Sequence, residues 1–98
     1  MKLVLAPRFV REAERCAGWW RKNRPAARFL FDDELRVVLN QIRTAPQLGT
    51  AYVAMASSEH LRVLMPRTRH HVYYRILADQ VRVVSVWGAT RERGPRLR

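Results

Sequence analysis

Carboxylates, cysteines and long apolar runs are all scarce in this sequence, and each scarcity excludes a class of protein. Cys16 is the only cysteine, which excludes a disulfide framework and a cysteine-based metal site. The first apolar run, Leu3–Ala6, is too short for the core of a signal peptide, and no stretch approaches the length of a membrane span. We therefore expect a cytoplasmic protein that does not insert into a membrane.

The shortage of negative charge is the strongest compositional feature. Eight Asp and Glu residues stand against nineteen Lys and Arg residues, which gives a formal net charge of +11, and only Lys2 and Lys22 are lysines. Arginine presents a planar fork of donors that suits phosphate and carboxylate groups. A GC-rich genome can account for part of the arginine content, but not for the small number of acids. The composition predicts an anionic partner: nucleic acid, a ribonucleoprotein, an acidic protein or an anionic membrane surface.

The length of 98 residues fits one domain, residues 1–98, in which 88–98 form an arginine-rich C-terminal tail without an apolar pattern. A short apolar run predicts a first strand at Lys2–Leu5. Apolar positions then follow helical spacing over 8–22 and over 26–44, with a break at Asn23–Pro25. The sequence of residues 50–60 predicts a loop that can include a short strand near 51–54.

After residue 60 the apolar period changes to two, as in strands. Runs at 61–65, 70–77 and 81–87 are rich in β-branched and aromatic residues, and short turns separate them. They predict a three-stranded antiparallel meander. We therefore expect an α+β fold in which an N-terminal strand and a two-helix hairpin pack on a mainly antiparallel sheet.

The two faces of the predicted strands differ in chemistry. The more apolar face should meet the helices, and the other should stay uncovered and partly apolar, which suggests a binding groove. The last strand is apolar on both faces, which favours a central or covered position. Strict alternation predicts these groups: His70, Val72, Tyr74 and Ile76 inward; His71, Tyr73, Arg75 and Leu77 outward; Val84 and Val86 on one face of the last strand, with Val83, Ser85 and Trp87 on the other.

Several polar or aromatic groups have a structural interpretation. Adjacent strand residues point to opposite faces, so His70–His71 is not a metal motif, and we expect no metal and no cofactor. Asp32–Glu34 is interpreted as a solvated helix face. Trp20 is assigned to the core and Trp19 to the rim of a partner-binding surface. The terminal arginines form either a solubilising tail or a contact with a partner.

Three stretches taken together resemble the RelE/ParE superfamily of bacterial type II toxins. They are WWRKNRPAARFLFDDEL, RTRHHVYYRI and VRVVSVWGATRERGP. The most specific parts are Tyr74-Arg75 in an arginine–aromatic strand, and the exit Trp87-Gly88 followed by Arg91. The resemblance extends from Leu3 to Pro95 and implies a RelE/ParE-like fold of the kind described above.

The resemblance also implies a function and a partner. Such a toxin inhibits growth and is neutralised by an antitoxin encoded beside it, with which it forms a hetero-oligomer. Antitoxins of these pairs wrap a C-terminal segment around the toxin, and the charge of this chain suits an acidic, amphipathic segment. We assign Trp19, Val84 and Val86 to antitoxin binding.

Two activities occur within this superfamily. RelE-like members cleave mRNA in the ribosomal A site, whereas ParE-like members poison DNA gyrase. RelE-like nucleases use basic residues on the sheet and a Tyr or His just after the last strand. Here no Tyr or His follows Gly88, and we expect neither lysine near the sheet groove. The sequence therefore favours a ParE-like gyrase poison that is not an enzyme; the alternative is a metal-independent, ribosome-dependent mRNA endoribonuclease.

The residues that we predict to bind the target are basic or aromatic: Arg62, Arg67, Arg69, His71, Tyr73 and Arg75 on the sheet, and Arg91 and Arg93 in the tail. Their predicted role is recognition of an anionic target. In the nuclease alternative the arginines would stabilise charge, and His71 or Tyr73 would transfer protons. Outside the superfamily, the composition also fits a basic RNA-binding module with exposed strand aromatics, or a pure interaction module.

Overall fold

The computed structural model describes residues 1–53, 59–89, 94, 95 and 97. Within them the chain has the expected α+β fold, with an N-terminal strand, two α-helices and a mainly antiparallel five-stranded sheet. The elements are β1 (Lys2–Leu5), α1 (Pro7–Asn23), α2 (Leu30–Thr44), β2 (Thr50–Val53), β3 (Glu59–Met65), β4 (His70–Ile76) and β5 (Gln80–Gly88).

The strand β5 takes an interior position in the sheet, as its two apolar faces predicted. The strand order is β1-β5-β4-β3-β2. β1 runs parallel to β5, and the other neighbouring strands are antiparallel. The parallel pair follows from the chain path, because the segment between β1 and the rest of the sheet contains both helices and forms a crossover. β4 and β5 form a tight hairpin in which the Leu77 amide donates to the Gln80 carbonyl at 2.8 Å.

The second helix begins later than the sequence predicted. We expected it from residue 26, but Pro25–Ala27 form a separate 3-10 turn, and α2 begins at Leu30. The Ala27 amide donates to the Arg24 carbonyl at 2.9 Å, which closes this turn. Proline starts a helical turn readily because its φ is fixed, but no side chain caps this turn, and the chain re-enters a helix only after it.

Both helices pack on the same side of the sheet, which we call the inner face; the opposite side is the outer face. The amphipathic stripes of α1 and α2 meet the apolar residues of β4 and β5 there, and burial of each large side chain contributes roughly 1.5–3 kcal/mol. This packing defines the main core. Its buried members are Phe9, Ala17, Phe31, Val38, Ile42, Met65, Val72, Tyr74, Val81, Val83 and Val86.

A β-bulge in β5 changes which residues share a face. Tyr73 lies opposite Ser85 and Tyr74 lies opposite Val83, so Val84 has no partner in this register. Val86 is therefore in the main core, whereas Val84 packs on the outer face. The prediction that Val84 and Val86 share a face is wrong, because strict alternation does not allow for the extra residue.

The carboxylate of Glu12 on α1 holds the bulged strand against the helix. It accepts the hydroxyl of Ser85 at 2.7 Å and the amide of Val86 at 3.3 Å. Arg8 donates to the other carboxylate oxygen of Glu12 at 3.3 Å. A bulge leaves backbone groups outside the regular ladder, and here a helix side chain supplies the acceptor.

Tyr74 connects the core to the segment between α2 and β2. Its hydroxyl donates to the Pro46 carbonyl at 2.7 Å and accepts from the Gly49 amide at 3.0 Å. A Cβ at Gly49 would overlap this hydroxyl, so only glycine permits the approach. The tyrosine hydroxyl therefore sets the path of the chain into β2.

Replacing Tyr74 by Phe removes both hydrogen bonds and keeps the ring. We expect the free energy of unfolding to fall by about 1–3 kcal/mol, because a buried amide and a buried carbonyl lose their partner. Urea unfolding at neutral pH measures the change. An unchanged unfolding midpoint would show that water replaces the hydroxyl at no cost.

Candidate functional site on the outer sheet face

The residues that the sequence singled out lie in several separate places around the outer face. Arg62 on β3 is opposite Tyr73 on β4, and His71 is opposite Leu64 and Trp87. Arg69 lies in the turn that leads into β4 and influences His71 electrostatically. We call Arg62, Arg69, His71 and Tyr73 the central group.

Tyr73 is covered, contrary to the prediction of an uncovered outer face. Its side chain is only 1% exposed and packs against Leu97, and its ring meets that of Tyr52 edge-on at 4.6 Å between centroids. Burial raises the pKa of the Tyr73 hydroxyl, although the hydrogen bond and charge of Arg62 act in the opposite direction. Tyr73 therefore stays protonated, and it is a buried residue that packs under the C-terminal segment.

Within the central group Arg69 is exposed, and Arg62 and His71 are half-buried, so all three are more accessible than Tyr73. The guanidinium of Arg62 lies over the Tyr52 ring at 5.5 Å from its centroid, a cation–π contact that orients it on the sheet. Burial lowers the pKa of His71, and the charges of Arg62 and Arg69 lower it further. His71 is therefore a neutral imidazole at neutral pH, able to accept or donate a hydrogen bond without adding charge.

Arg69 has the one positive φ angle of a non-glycine residue in the described part of the chain, at 62°. A side chain in this left-handed region costs roughly 1–2 kcal/mol, so surrounding contacts must hold it. The Arg69 amide donates to the Met65 carbonyl at 2.9 Å, and the Arg69 carbonyl accepts from the Ala89 amide at 2.8 Å. These two backbone hydrogen bonds hold Arg69 in the left-handed conformation.

Glu34 on α2 fixes the turn that carries Arg69. Its carboxylate accepts the Arg67 amide at 2.8 Å, the Thr68 amide at 2.9 Å and the Thr68 hydroxyl at 2.8 Å. Burial alone would raise the pKa of Glu34, but these hydrogen bonds and the charge of Arg67 lower it overall. The interpretation of Asp32–Glu34 as a solvated face is therefore wrong for Glu34, which is 9% exposed.

Arg67 and Arg69 were predicted to lie on the sheet, but both lie in the turn between β3 and β4. Arg67 borders a shallow pocket on the helix side with Leu30, Asp33 and Val37. It is therefore separated from Arg62 and His71 by the body of the turn. Of the two turn arginines, only Arg69 belongs to the central group.

The described part of the C-terminal segment is docked on the outer face. Leu97 is 3% exposed and packs with Tyr73, Tyr52, Val84 and Trp87. The Tyr52 hydroxyl donates to the Pro95 carbonyl at 2.9 Å, and a Cβ at Gly94 would overlap the Tyr52 ring. Gly94, Pro95 and Leu97 are therefore docked on the outer face. The predicted site residues Arg91 and Arg93 lie outside the described residues.

Replacing Leu97 by Ala tests this docking. We expect a loss of about 2–3 kcal/mol of unfolding free energy, because the apolar side chain fills a buried position over Tyr73. The rate of acrylamide quenching of protein fluorescence should rise as the segment leaves Trp87. A variant with wild-type stability and quenching would contradict the docked arrangement.

Arg75 lies beside a second arginine on the neighbouring strand. It lies opposite Arg82 on β5, a residue that sequence reasoning missed. Lys2, expected to be remote from the sheet groove, lies on β1 opposite Gln80, and Val4 is opposite Arg82. The alternation of the sequence already indicated that Arg82 faces outward, since it lies between Val81 and Val83 of the main core. The pairing of Arg82 with Arg75, however, depends on the register of the hairpin.

A groove of about 370 Å³ lies on the helix side of the same turn. Trp20 packs against the main core while Trp19 is 47% exposed, as predicted, and Arg24 lies over the Trp19 ring at 5.2 Å. The groove joins aromatic and basic side chains, which suits an amphipathic acidic segment. Its lining residues are Cys16, Trp19, Trp20, Arg24, Thr68, Arg69, His70 and Gly88.

The described residues offer recognition by arginine more than acid–base chemistry. No group of three His, Cys, Asp or Glu side chains in them is arranged to hold a metal ion. Neither α1 nor α2 has the length and apolar character that a membrane span requires. The arrangement is that of a basic α+β protein with an arginine-bearing sheet face.

The comparisons with known proteins agree with this class. The chain matches the family model described as ParE toxin of type II toxin–antitoxin system, parDE, over residues 3–93. The chain therefore belongs to the ParE toxin family, within the RelE/ParE superfamily. It has no match among curated proteins.

Solved structures of toxins share the fold. One belongs to the RelBE toxin–antitoxin complex of E. coli, with 18% identity and a TM-score of 0.59 over 92% of this chain and 98% of that chain. Another is a YoeB/ParE toxin from Agrobacterium tumefaciens, with 14% identity and a TM-score of 0.59 over 90% of this chain and 98% of that chain. At such identities the likeness concerns the fold.

Proposed function

We propose that this ParE-family toxin inhibits growth by poisoning DNA gyrase and acts in the cytoplasm. The observation that carries the proposal is the state of the central group. Of the two residues predicted for proton transfer, Tyr73 is 1% exposed, and only His71 is accessible. Cleavage by attack of a 2′-hydroxyl needs both a base and an acid. An arginine surface without an accessible acid–base pair suits recognition better than catalysis.

The arginines supply the recognition. Arg62, Arg69 and Arg75 present guanidinium groups that suit an anionic or carboxylate-rich surface on the target. Arg67 extends the turn on the helix side, and Arg91 and Arg93 remain candidates for contact in the C-terminal segment. Each acts through charge and hydrogen bonding.

The partner that neutralises the toxin is an antitoxin with an acidic, amphipathic segment, and the two chains form a hetero-oligomer. The groove beside Trp19 provides an aromatic wall flanked by Arg24 and Arg69, which suits such a segment. Val84 borders the outer face and can extend the contact. Val86 is buried in the main core and does not take part.

The alternative is a metal-independent endoribonuclease that cleaves mRNA on the ribosome. The observation in its favour is the neutral imidazole of His71 beside the positive charge of Arg62, since a neutral imidazole can accept a proton. A basic RNA-binding module is less well supported. Base stacking needs exposed rings, whereas Tyr73 is buried and the Tyr52 ring already contacts Tyr73 and Arg62.

Two parallel reactions with the purified toxin separate these functions. One measures supercoiling of plasmid DNA by gyrase, and the other measures cleavage of mRNA on programmed ribosomes. We expect loss of supercoiling, accumulation of cleaved DNA complexes and intact mRNA. Cleaved mRNA with normal gyrase activity would overturn the proposal and assign His71 a catalytic role.

A further inference from the structure

Two arginines face each other across neighbouring strands at one end of the outer face. Arg75 on β4 and Arg82 on β5 are Cα partners in the antiparallel register. The residues next to them, Tyr74 and Val81 among others, belong to the main core. Side chains alternate along a strand, so both guanidinium groups project to the outer face. Directly opposed residues of an antiparallel pair have Cβ atoms roughly 5 Å apart.

The edge strand β1 adds a third cation and an apolar neighbour. Leu3 packs against the main core, so Lys2 and Val4 project to the outer face. Val4 is the Cα partner of Arg82, and Lys2 is the partner of Gln80, two residues earlier on β5. We call Lys2, Arg75 and Arg82 the β1-side cluster.

No carboxylate in the described residues neutralises the β1-side cluster. None of the three side chains forms a hydrogen bond or an ion pair with another described residue. Asp79 is the only acid in the sequence between Glu59 and Glu92, and it lies exposed in the β4–β5 turn without an ion pair to either arginine. Like charges placed directly opposite each other destabilise a sheet.

Arg62, also on the outer face, differs from the β1-side cluster because its side chain has partners. Arg62 has the Tyr52 ring and the Tyr73 hydroxyl as partners. Arg75 and Arg82 are half-buried and have no such partner among the described residues, so within that part of the chain their like charges repel each other. A bound anion would convert that repulsion into two charge-assisted contacts.

We propose that the β1-side cluster is a binding site for a carboxylate of an acidic, extended peptide segment that also covers Val4. The two guanidinium groups bracket the carboxylate, and Lys2 contributes a further positive charge. An apolar residue next to the site favours a peptide with alternating aliphatic and acidic side chains. Nucleic acid is disfavoured, because the tyrosines of this face are buried or already engaged and leave no platform for bases. The site is separate from the central group and shares only Arg75 with the surface proposed for the target, and its occupant is a peptide whichever target the toxin has.

The test uses the full chain and a short fluorescent peptide with alternating valine and glutamate. A peptide with glutamine in place of glutamate and a single-stranded oligonucleotide of equal charge serve as comparison probes. Arg82→Gln and Arg75→Gln are compared with Arg43→Gln, which removes the same charge from the exposed side of α2. We expect the dissociation constant of the acidic peptide to rise about tenfold more in each sheet variant than in Arg43→Gln, because each sheet variant loses a charge-assisted contact.

Thermal unfolding without peptide provides the second measurement. Arg82→Gln should melt at or above the wild-type temperature, and Arg82→Glu should melt higher still while failing to bind the acidic peptide, since it pairs with Arg75. An equal loss of affinity for the acidic peptide in Arg82→Gln and Arg43→Gln would overturn the proposed site, because net charge alone would then explain binding. If binding of the oligonucleotide depends on Arg75 and Arg82 and binding of the peptide does not, the assignment of a peptide to this site is overturned.

Discussion

Replacing Arg69 by Gly is expected to abolish growth inhibition while leaving the protein folded and as stable as the wild type. Arg69 has a φ of 62°, which glycine adopts without a steric penalty. The relief of strain offsets the extra flexibility that glycine gives to the unfolded chain, so the two stabilities should agree within about 1 kcal/mol. The substitution removes one guanidinium from the central group. Growth after induction without antitoxin, together with urea unfolding of the purified variant, measures both effects.

Two further variants make this result specific. Arg69→Ala also removes the guanidinium but keeps a side chain in the left-handed region, so it should be non-toxic and about 1 kcal/mol less stable than Arg69→Gly. Arg43→Gln lowers the net charge equally from α2 and should remain toxic. Full toxicity of Arg69→Gly would remove Arg69 from the target-binding surface.

Replacing Glu34 by Gln should produce the largest loss of stability among single changes near the site. The carboxylate accepts three hydrogen bonds from Arg67 and Thr68, and an amide cannot accept all of them at the same angles. We expect unfolding free energy to fall by about 2–4 kcal/mol at neutral pH, since buried donors lose a charged acceptor. Toxicity should fall with it, because the turn that holds Arg69 loses its support.

The pH dependence of stability identifies the carboxylate as the cause. The pKa of Glu34 is lowered in the folded protein from an ordinary value of 4.5. Its contribution is therefore complete above 4.5 and is lost as the pH falls through the lower, folded value. The stability difference between the wild type and Glu34→Gln should narrow over that acidic range. Asp33→Asn, at an exposed ion pair with Arg36, is the matched control and should change stability by less than about 1 kcal/mol. A difference that stays constant with pH would contradict this role of Glu34.

Much of the fold followed from local patterns. Apolar spacing located β1, α1, the last three strands and the central packing of Tyr74, because burial on one face imposes a period on the sequence. The start of α2 was less predictable, since Pro25 permits either a continuous helix or a separate turn. Glu34 was misassigned although the spacing of Phe31 and Val38 already placed it on the buried stripe. Glu34 was assigned to the solvated face because it is charged, and its position on the helix was not taken into account.

The site depended on register, which a single strand pattern does not specify. The bulge at Val84 reverses the faces of the residues after it, and its position becomes visible only when β4 and β5 are paired. The same pairing brings Arg75 opposite Arg82. The docking of Leu97 over Tyr73 joins residues distant in sequence and has no local signal.

The sequence by itself determined the element types, the excess of positive charge and the resemblance to the RelE/ParE toxins, because each depends on residue identity and short-range spacing. Only the tertiary structure decided which side chains remain available to a partner. It buried Tyr73 and Val86, held Arg69 in a left-handed turn through Glu34, and placed Arg75 opposite Arg82 on neighbouring strands. These outcomes depend on contacts between segments far apart in the chain, whose free energy no local pattern records.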